Sequence, residues 1–385
     1  MKAFIVHGHF YQPSREDPIT GTIPEEPGAA PFHNWNELIH EHCYRPNAKL
    51  GNFERISFDL GPTLSGWMRQ NDPATLTEIV AQDRRNVERY GVGNAMAQSY
   101  HHTILPLGTH EDKVTQIRWG IADFEHTFGR KPEGMWLPEA AVDEETLEIL
   151  ADRGIEFTIL APWQADQEWV DVTRTYRVPL PSGRQINVLF YDQELSMRVS
   201  FDPGSTVNAD QFVTDLILPR YRRGRTGSLE PQALLIASDG ELYGHHQPFR
   251  DKFLSHLTNS ASGNRNVEIT YPARWLRDHP PVHTVQVRDN TSWSCHHGVA
   301  RWKETCGCTP YGEWKSTLRE ALDRIAAALD EDYLQTVGQW VPDPWELRHR
   351  FIEVLLGQIT LDGLVAELSG RPVERSLTRP LLPAE

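Results

Sequence analysis

The stretch GMWLPEAAVDEETLEILADRGIEFTIL, residues 134–160, decides how this chain is read. It opens on a short apolar run, Gly134–Leu137, and closes on another, Phe157–Leu160. Between them Asp143 is placed to cap a helix whose first turn carries Glu144 and Glu145, acidic groups that complement the positive end of the helix dipole. Gly154 supplies the stop before the second run. The unit reads strand, helix, strand.

Outward from this unit the alternation recurs. The runs Lys2–Val6, Phe53–Leu60, Gly93–Gln98, Ile186–Tyr191 and Ala233–Ala237 bring the candidate strands to seven. Asp72 and Pro73 open a helix that Gly91 closes. Within Glu111–Phe128, Val114, Ile117, Ile121, Phe124 and Phe128 form a stripe with the helical period. Seven runs in strand–helix alternation predict an α/β chain whose parallel sheet closes as a barrel over residues 1–287. After Val287 the character changes. Arg288–Tyr311 is loop-like, Gly312–Tyr333 and Pro344–Gly357 read as amphipathic helices, and a tail is expected from Ser369. Residues 288–385 are thus expected to form a loop and a short helical region that packs on the catalytic face of the barrel.

Composition narrows the partners. The 385 residues are 39% hydrophobic, with a net charge of −15. Such a chain can bury a large core, and its mean field repels phosphate, so nucleic acid and anionic membrane surfaces are not expected partners. The apolar run at Ala3–Val6 is too short for a secretory signal, and no window reaches a membrane span. The four cysteines are too few for a disulfide scaffold, and the chain reads as cytoplasmic. The loop Ser14–Pro31, with six Pro or Gly, is long enough to carry function.

In a barrel, polar residues just after each strand face the active-site rim. Here they are His7 and His9 with Gln12, Asp59, Ser99 with His101 and His102, Trp136 with Glu139, Trp163 with Gln164, Asp192, and Asp239 with Glu241, His245 and His246. Two carboxylates on separate strand ends, ringed by His, Trp and Gln, are what glycosidic cleavage requires. A metal hydrolase built on His7, His9 and Asp239 is the competing reading. The middle strand ends supply Glu139, Trp163, Gln164 and Asp192 but no His, which favours sugar over metal. Cys295, His296, His297, Cys306 and Cys308 could hold zinc, but their spacing matches no strong pattern, and packed thiols covering the cleft are the preferred reading.

At these residues a resemblance emerges. HGHFYQP at 7–13, WLPE at 136–139, SDGELYGH at 238–245, the stretch from His102 to Leu107, and Ser292 through Trp302 resemble the motifs of glycoside hydrolase family 57, in the family's order. Within it the chain resembles the branch with the HGHFYQP opening, in a form with an abbreviated helical C-terminal part. The resemblance implies a (β/α)7 barrel followed by a helical region, and cleavage of α-glycosidic bonds with retention. It implies Glu139 as nucleophile and Asp239 as acid/base, with His9 and His102 lining the cleavage subsite. No metal or organic cofactor is implied.

The remaining candidates carry alternatives. Glu241 is a rival acid, or otherwise a substrate-binding or orienting group. His7 either binds backbone beneath the floor or touches sugar. Only one of His245 and His246 is expected to face the cleft. Of Trp136, Trp163, Trp293 and Trp302, two or three are expected to stack on pyranose faces. Gln12 and His297 complete the expected substrate contacts. Asp239 must be protonated at rest, so burial or the charges of Glu139 and Glu241 are expected to raise its pKa. The expected substrate is an α-linked oligo- or polysaccharide: an α-1,4-glucan first, an α-1,4-mannan or α-galactoside otherwise. The alternatives are an α-glucan transglycosylase, a metal-dependent polysaccharide deacetylase and a sugar-binding pseudoenzyme.

Overall fold

The computed structural model describes residues 1–221 and 230–370. Its strands are β1 (Lys2–Phe10), β2 (Ser57–Leu60), β3 (Ala95–Gln98), β4 (Met135–Trp136), β5 (Phe157–Leu160), β6 (Thr175–Pro179), β7 (Gln185–Phe190), β8 (Gln232–Asp239), β9 (Glu268–Ile269) and β10 (His283–Thr284). One hydrogen-bonded path runs β4-β3-β2-β1-β8, and β5 pairs with β7 in parallel. A bridge from Gly134 to Phe157 joins β4 to β5. The Asp192 amide donates to the Leu235 carbonyl at 2.7 Å, joining the end of β7 to β8. The ring therefore closes on seven strands, each matching one of the expected runs, as a (β/α)7 barrel.

The pleat sorts the side chains of β1 between two cores. Ala3 and Ile5 face inward with Ile159, Leu189, Leu235 and Ala237. Phe4 and Val6 face the surrounding helices, among Leu64, Ile79 and Ile117. Each large side chain so buried contributes roughly 1.5–3 kcal/mol by leaving water. Toward the carboxyl ends of the strands the interior turns polar. Register pairs His7 with Ser57 and Ala237, and one layer higher pairs His9 with Asp59 and Asp239.

The expected helices form where the caps place them. Asp72 accepts from the Thr75 amide and Gly91 closes Pro73–Tyr90 with φ 77°. Asp143 accepts from the Thr146 amide at the start of Glu144–Asp152. The Thr109–Asp112 capping box starts the next helix at His110, one residue before Glu111. The hairpin strand β6 and the short strands β9 and β10 were not expected. β6 runs antiparallel to β7 outside the ring, and its five residues end on Pro179.

Beyond the barrel, helices Trp314–Val337, Pro344–Leu355 and Leu361–Ser369 surround a small core of Val337, Val341, Leu347, Leu364 and Val365. Helix Pro344–Leu355 docks on His110–Phe128. There Arg118 donates to both carboxylate oxygens of Glu346, and the Trp119 indole donates to the His349 carbonyl at 3.0 Å. The third helix occupies the stretch just before the expected tail, which from residue 371 lies outside the described residues. Among the described residues no helix is long and apolar enough to cross a membrane.

Candidate active site

The polar layer at the top of the barrel is organised around His9. Its Nδ1 lies 2.8 Å from Asp59 Oδ2 and its Nε2 lies 3.0 Å from His102 Nε2. Burial works against a charged imidazole here, but Asp59, with Asp239 and Glu241 beyond it, raises His9 to about 9. Burial lowers His102 to about 3, and the neighbouring charge of His9 adds to the effect. His9 is thus the cation of the site and His102 its neutral acceptor. Asp59 is fully buried; its desolvation opposes ionisation, yet the two histidines hold its carboxyl below the ordinary range.

His7 lies one layer down and is completely buried. Its Nδ1 meets Ser57 Oγ at 3.0 Å, while its Nε2 stands 3.2 Å from Asp59 Oδ1 at an angle that makes no hydrogen bond. Trp136 is also completely buried, stacked under the rings of His7 and His9 at 4.8 and 5.2 Å. Neither ring reaches the cleft. The sugar contacts considered for His7 and Trp136 are replaced by a supporting place beneath His9, because the next pleat up covers both.

Glu139 follows β4 in a tight turn. Its φ of 58° and the 45° of Ala140 put two successive non-glycine residues in the left-handed region, and His102 has φ 55°. Such conformations cost on the order of 1–3 kcal/mol each and persist where surrounding contacts over-determine them. The turn is clamped from two sides. The Trp293 amide donates to the Glu139 carbonyl at 2.9 Å and Gln164 Nε2 donates to the Ala140 carbonyl at 2.7 Å. The Trp293 indole N–H then donates to Glu139 Oε2 at 3.2 Å, fixing the half-exposed carboxylate.

Asp239 ends β8 with an exposed side chain. Desolvation is the largest influence and raises its carboxyl; His9 opposes this, and the negative charge of Glu139 adds to it. The two carboxylates are therefore within electrostatic reach of each other. Glu241 does not share this position. Residues Gly240–Leu242 form a 3-10 turn instead of continuing the strand, and this turn buries Glu241. Its Oε1 accepts from Tyr44 Oη at 2.6 Å and from the Tyr11 amide at 3.2 Å. Burial pushes it up to about 7 against the pull of Tyr44. Its Oε1 is committed to this support, which sets it apart from the exposed Asp239 at the end of β8.

The remaining expected contacts divide. Gln12 is buried between Tyr44 Oη, to which it donates at 3.0 Å, and Arg15, which donates to its Oε1 at 2.8 Å. It braces Tyr44 instead of facing the cleft. His245 turns to Trp35 and His42, whereas His246 is exposed and its charge is felt at Asp239. Trp293 is half-buried, edge-on to Trp136 at 4.9 Å. Trp302 and His102 line a groove of about 650 Å³ with Glu139, Trp314 and Leu318. Trp163 lines another, of about 730 Å³, with Asp192 and Arg220. His297 faces Cys295 and Cys308, its Nδ1 3.4 Å from Cys308 Sγ, which places that nitrogen in the thiol cluster.

From sequence, Tyr11 is only a member of the HGHFYQP stretch, Tyr44 carries no signal, and Asp59 is only a strand end. Tyr44 lies on the helical segment Trp35–Lys49, for which no start or stop signal was read. For Asp59 the available signal was its place opposite His9 once strands one and two are aligned.

Comparison with known proteins follows this geometry. The chain matches the glycosyl hydrolase family 57 over residues 30–288, and a domain of unknown function (DUF3536) over residues 312–373. It is 26% identical over 129 residues to Alpha-amylase 1 of Dictyoglomus thermophilum, a match covering 32% of this chain and 18% of that protein. It is 19% identical over 285 residues to the Alpha-amylase of Pyrococcus abyssi, covering 72% of this chain and 39% of that one. The matches thus span less than two-fifths of these curated relatives. Among solved structures, a GH57-type branching enzyme from Pyrococcus horikoshii superposes with a TM-score of 0.65 at 16% identity, covering 99% of this chain and 96% of that one. An exo-type maltose-forming amylase from Pyrococcus sp. ST04 superposes with 0.72 at 15% identity, covering 100% and 71%. At these identities the superpositions speak for the barrel and its helical extension alone. The family match, which takes in β2 through β10 and about two-thirds of the chain, shows that this chain belongs to glycosyl hydrolase family 57.

Proposed function

We propose that the chain cleaves α-glycosidic bonds with retention, Glu139 serving as nucleophile and Asp239 as acid/base. The observation that carries this reading is the difference between two carboxylates at the ends of β4 and β8. Glu139 is gripped by an indole N–H, and the Asp239 carboxyl is raised by desolvation and by the charge of Glu139, against the opposing charge of His9. A Glu139 oxygen attacks the anomeric carbon while Asp239 gives its proton to the departing glycosidic oxygen. Asp239, now ionised, takes a proton from an incoming hydroxyl, whose oxygen attacks the same carbon and frees Glu139. The two inversions sum to retention. Charged His9 steadies the anionic Asp239 left by the first step, and its Nε2–H donates a hydrogen bond to neutral His102.

An α-1,4-glucan is the proposed substrate, supported by the amylase and branching-enzyme names of the relatives. A mannan or galactoside would use the same carboxylates. Water as acceptor makes the chain a hydrolase. A sugar hydroxyl as acceptor makes it a transglycosylase, a second reading supported by the apolar wall of Trp302, Trp314 and Leu318 beside Glu139.

The test is chromatographic product analysis with α-glucan, α-mannan and α-galactoside oligomers. Wild type is expected to give shortened products, or longer ones if it transfers, and Glu139→Ala none, with its circular dichroism unchanged. Near-normal activity in Glu139→Ala contradicts the proposal.

A further inference from the structure

The loop that delivers Trp293 to Glu139 continues through a cluster that the chemistry above does not use. Cys295, His297, Cys306 and Cys308 each direct one donor atom to a common point, and these atoms all lie within 4.8 Å of one another. Cys295 Sγ stands 3.9 Å from Cys306 Sγ and 3.6 Å from His297 Nδ1. Cys308 Sγ stands 3.4 Å from the same Nδ1.

These separations have a simple geometric meaning. Zinc bonds of about 2.3 Å to sulfur and about 2.0–2.1 Å to nitrogen give a tetrahedron with S···S edges of about 3.8 Å and S···N edges of about 3.6 Å. Each of the three separations is within a few tenths of an ångström of the corresponding edge. A disulfide needs sulfurs about 2.05 Å apart and uses only two of them, leaving a thiol and the imidazole unexplained. As thiols the groups are weak donors with little reason to converge.

The local backbone is built for the same arrangement. The ligands come as two pairs with one intervening residue, Cys295 with His297 and Cys306 with Cys308, on either side of the short helix Ala300–Lys303. The His297 amide donates to Cys295 Sγ at 3.4 Å. Gly298 then reverses the chain at φ 63°, where a Cβ would meet the Asn290 carbonyl oxygen at 2.0 Å.

We propose that Cys295, His297, Cys306 and Cys308 bind one zinc ion in a closed, tetrahedral, structural site. Four protein ligands leave no position for water or substrate, so the ion takes no part in glycoside chemistry. Its place is mechanical. It ties the turn after Trp293 to the segment leading into helix Trp314–Val337, whose Trp314 and Leu318 wall the groove beside Glu139. Three thiolates and one imidazole suit zinc over magnesium or calcium.

The test uses the full chain, purified under reducing conditions, equilibrated with equimolar zinc and desalted. Elemental analysis is expected to find about one zinc per chain in wild type, and about a tenth of that or less in Cys308→Ser, whose thiol is exposed. Cobalt(II) in place of zinc is expected to give thiolate-to-metal charge-transfer bands and intense visible bands of tetrahedral coordination, in wild type and not in Cys308→Ser. This spectrum reads the site in wild type, whatever a variant does to folding. A wild type that keeps no zinc and gives no such spectrum overturns the proposal, as does a Cys308→Ser variant with full zinc content. So does a Cys295–Cys306 disulfide, found by peptide mapping, in the folded wild-type chain. None of these readouts depends on glycoside cleavage.

Discussion

His9 Nε2 and His102 Nε2 face each other across 3.0 Å, and a bond between two imidazole nitrogens needs one proton. Asp59 decides where it resides. With its carboxylate on His9 Nδ1, His9 keeps both ring protons and His102 offers a lone pair. The base of the cleft is therefore a fixed cation above a buried anion, next to the strand end that carries Asp239.

Asp59→Asn is expected to strip His9 of its proton near neutral pH. Histidine NMR should show its titration moving down from about 9. The linkage has a definite sign: a folded value raised from 6.5 to about 9 stabilises the fold fully below 6.5 and less as pH rises through about 9. Urea unfolding of wild type is expected to lose stability across that window, and Asp59→Asn is expected to lose less. An unchanged slope in the variant contradicts the assignment.

Glu241 titrates in a lower window. Its carboxyl is raised from 4.5 to about 7, so the stability it confers is full below 4.5 and declines as pH rises through about 7. Glu241→Gln keeps an acceptor for Tyr44 and removes the charge, and is expected to flatten that decline. Equal pH slopes for the two proteins would place the titrating group elsewhere.

Tyr44→Phe removes the hydroxyl that donates to Glu241 and receives Gln12. Two buried polar atoms lose a partner, and the expected cost is about 1–3 kcal/mol in denaturant unfolding. Because the Tyr44 ring is fully buried, activity at temperatures well below the transition is expected to be nearly retained. A variant as stable as wild type would show that the network is not closed as described.

Trp293→Phe keeps the ring over Trp136 and the backbone clamp on the Glu139 turn but deletes the indole N–H. A hydrogen bond to a charged group is worth about 1.5–3 kcal/mol, so kcat is expected to fall about tenfold or more, with KM little changed. A change confined to KM would make Trp293 a sugar platform and not a positioning residue for Glu139.

The seven strands were legible because each is a short apolar run closed by a polar rim residue, and the helices between them carry their own caps at Asp72 and Asp143. Glu139 and Asp239 stood out for the same reason, as polar ends of apolar strands. What failed was what only register or a turn decides. Glu241, a rival acid by its place two residues after Asp239, sits in a 3-10 turn that buries it. Asp59 and Ser57 acquire meaning through their pairing with His9 and His7 across strands some fifty positions apart in the chain. Cys295 and Cys308 are linked by a loop whose folding, not whose spacing, turns His297 toward them.

The central claim is a covalent bond from sugar to Glu139. Asp239→Ala, supplied with an α-maltosyl fluoride, tests it most directly, since fluoride leaves without an acid while release of the glycosyl group lacks its base. Peptide mass spectrometry is expected to find the added sugar on the fragment carrying Glu139. Sugar on Glu241 or another side chain, or consumption of the fluoride with no adduct, would contradict the account.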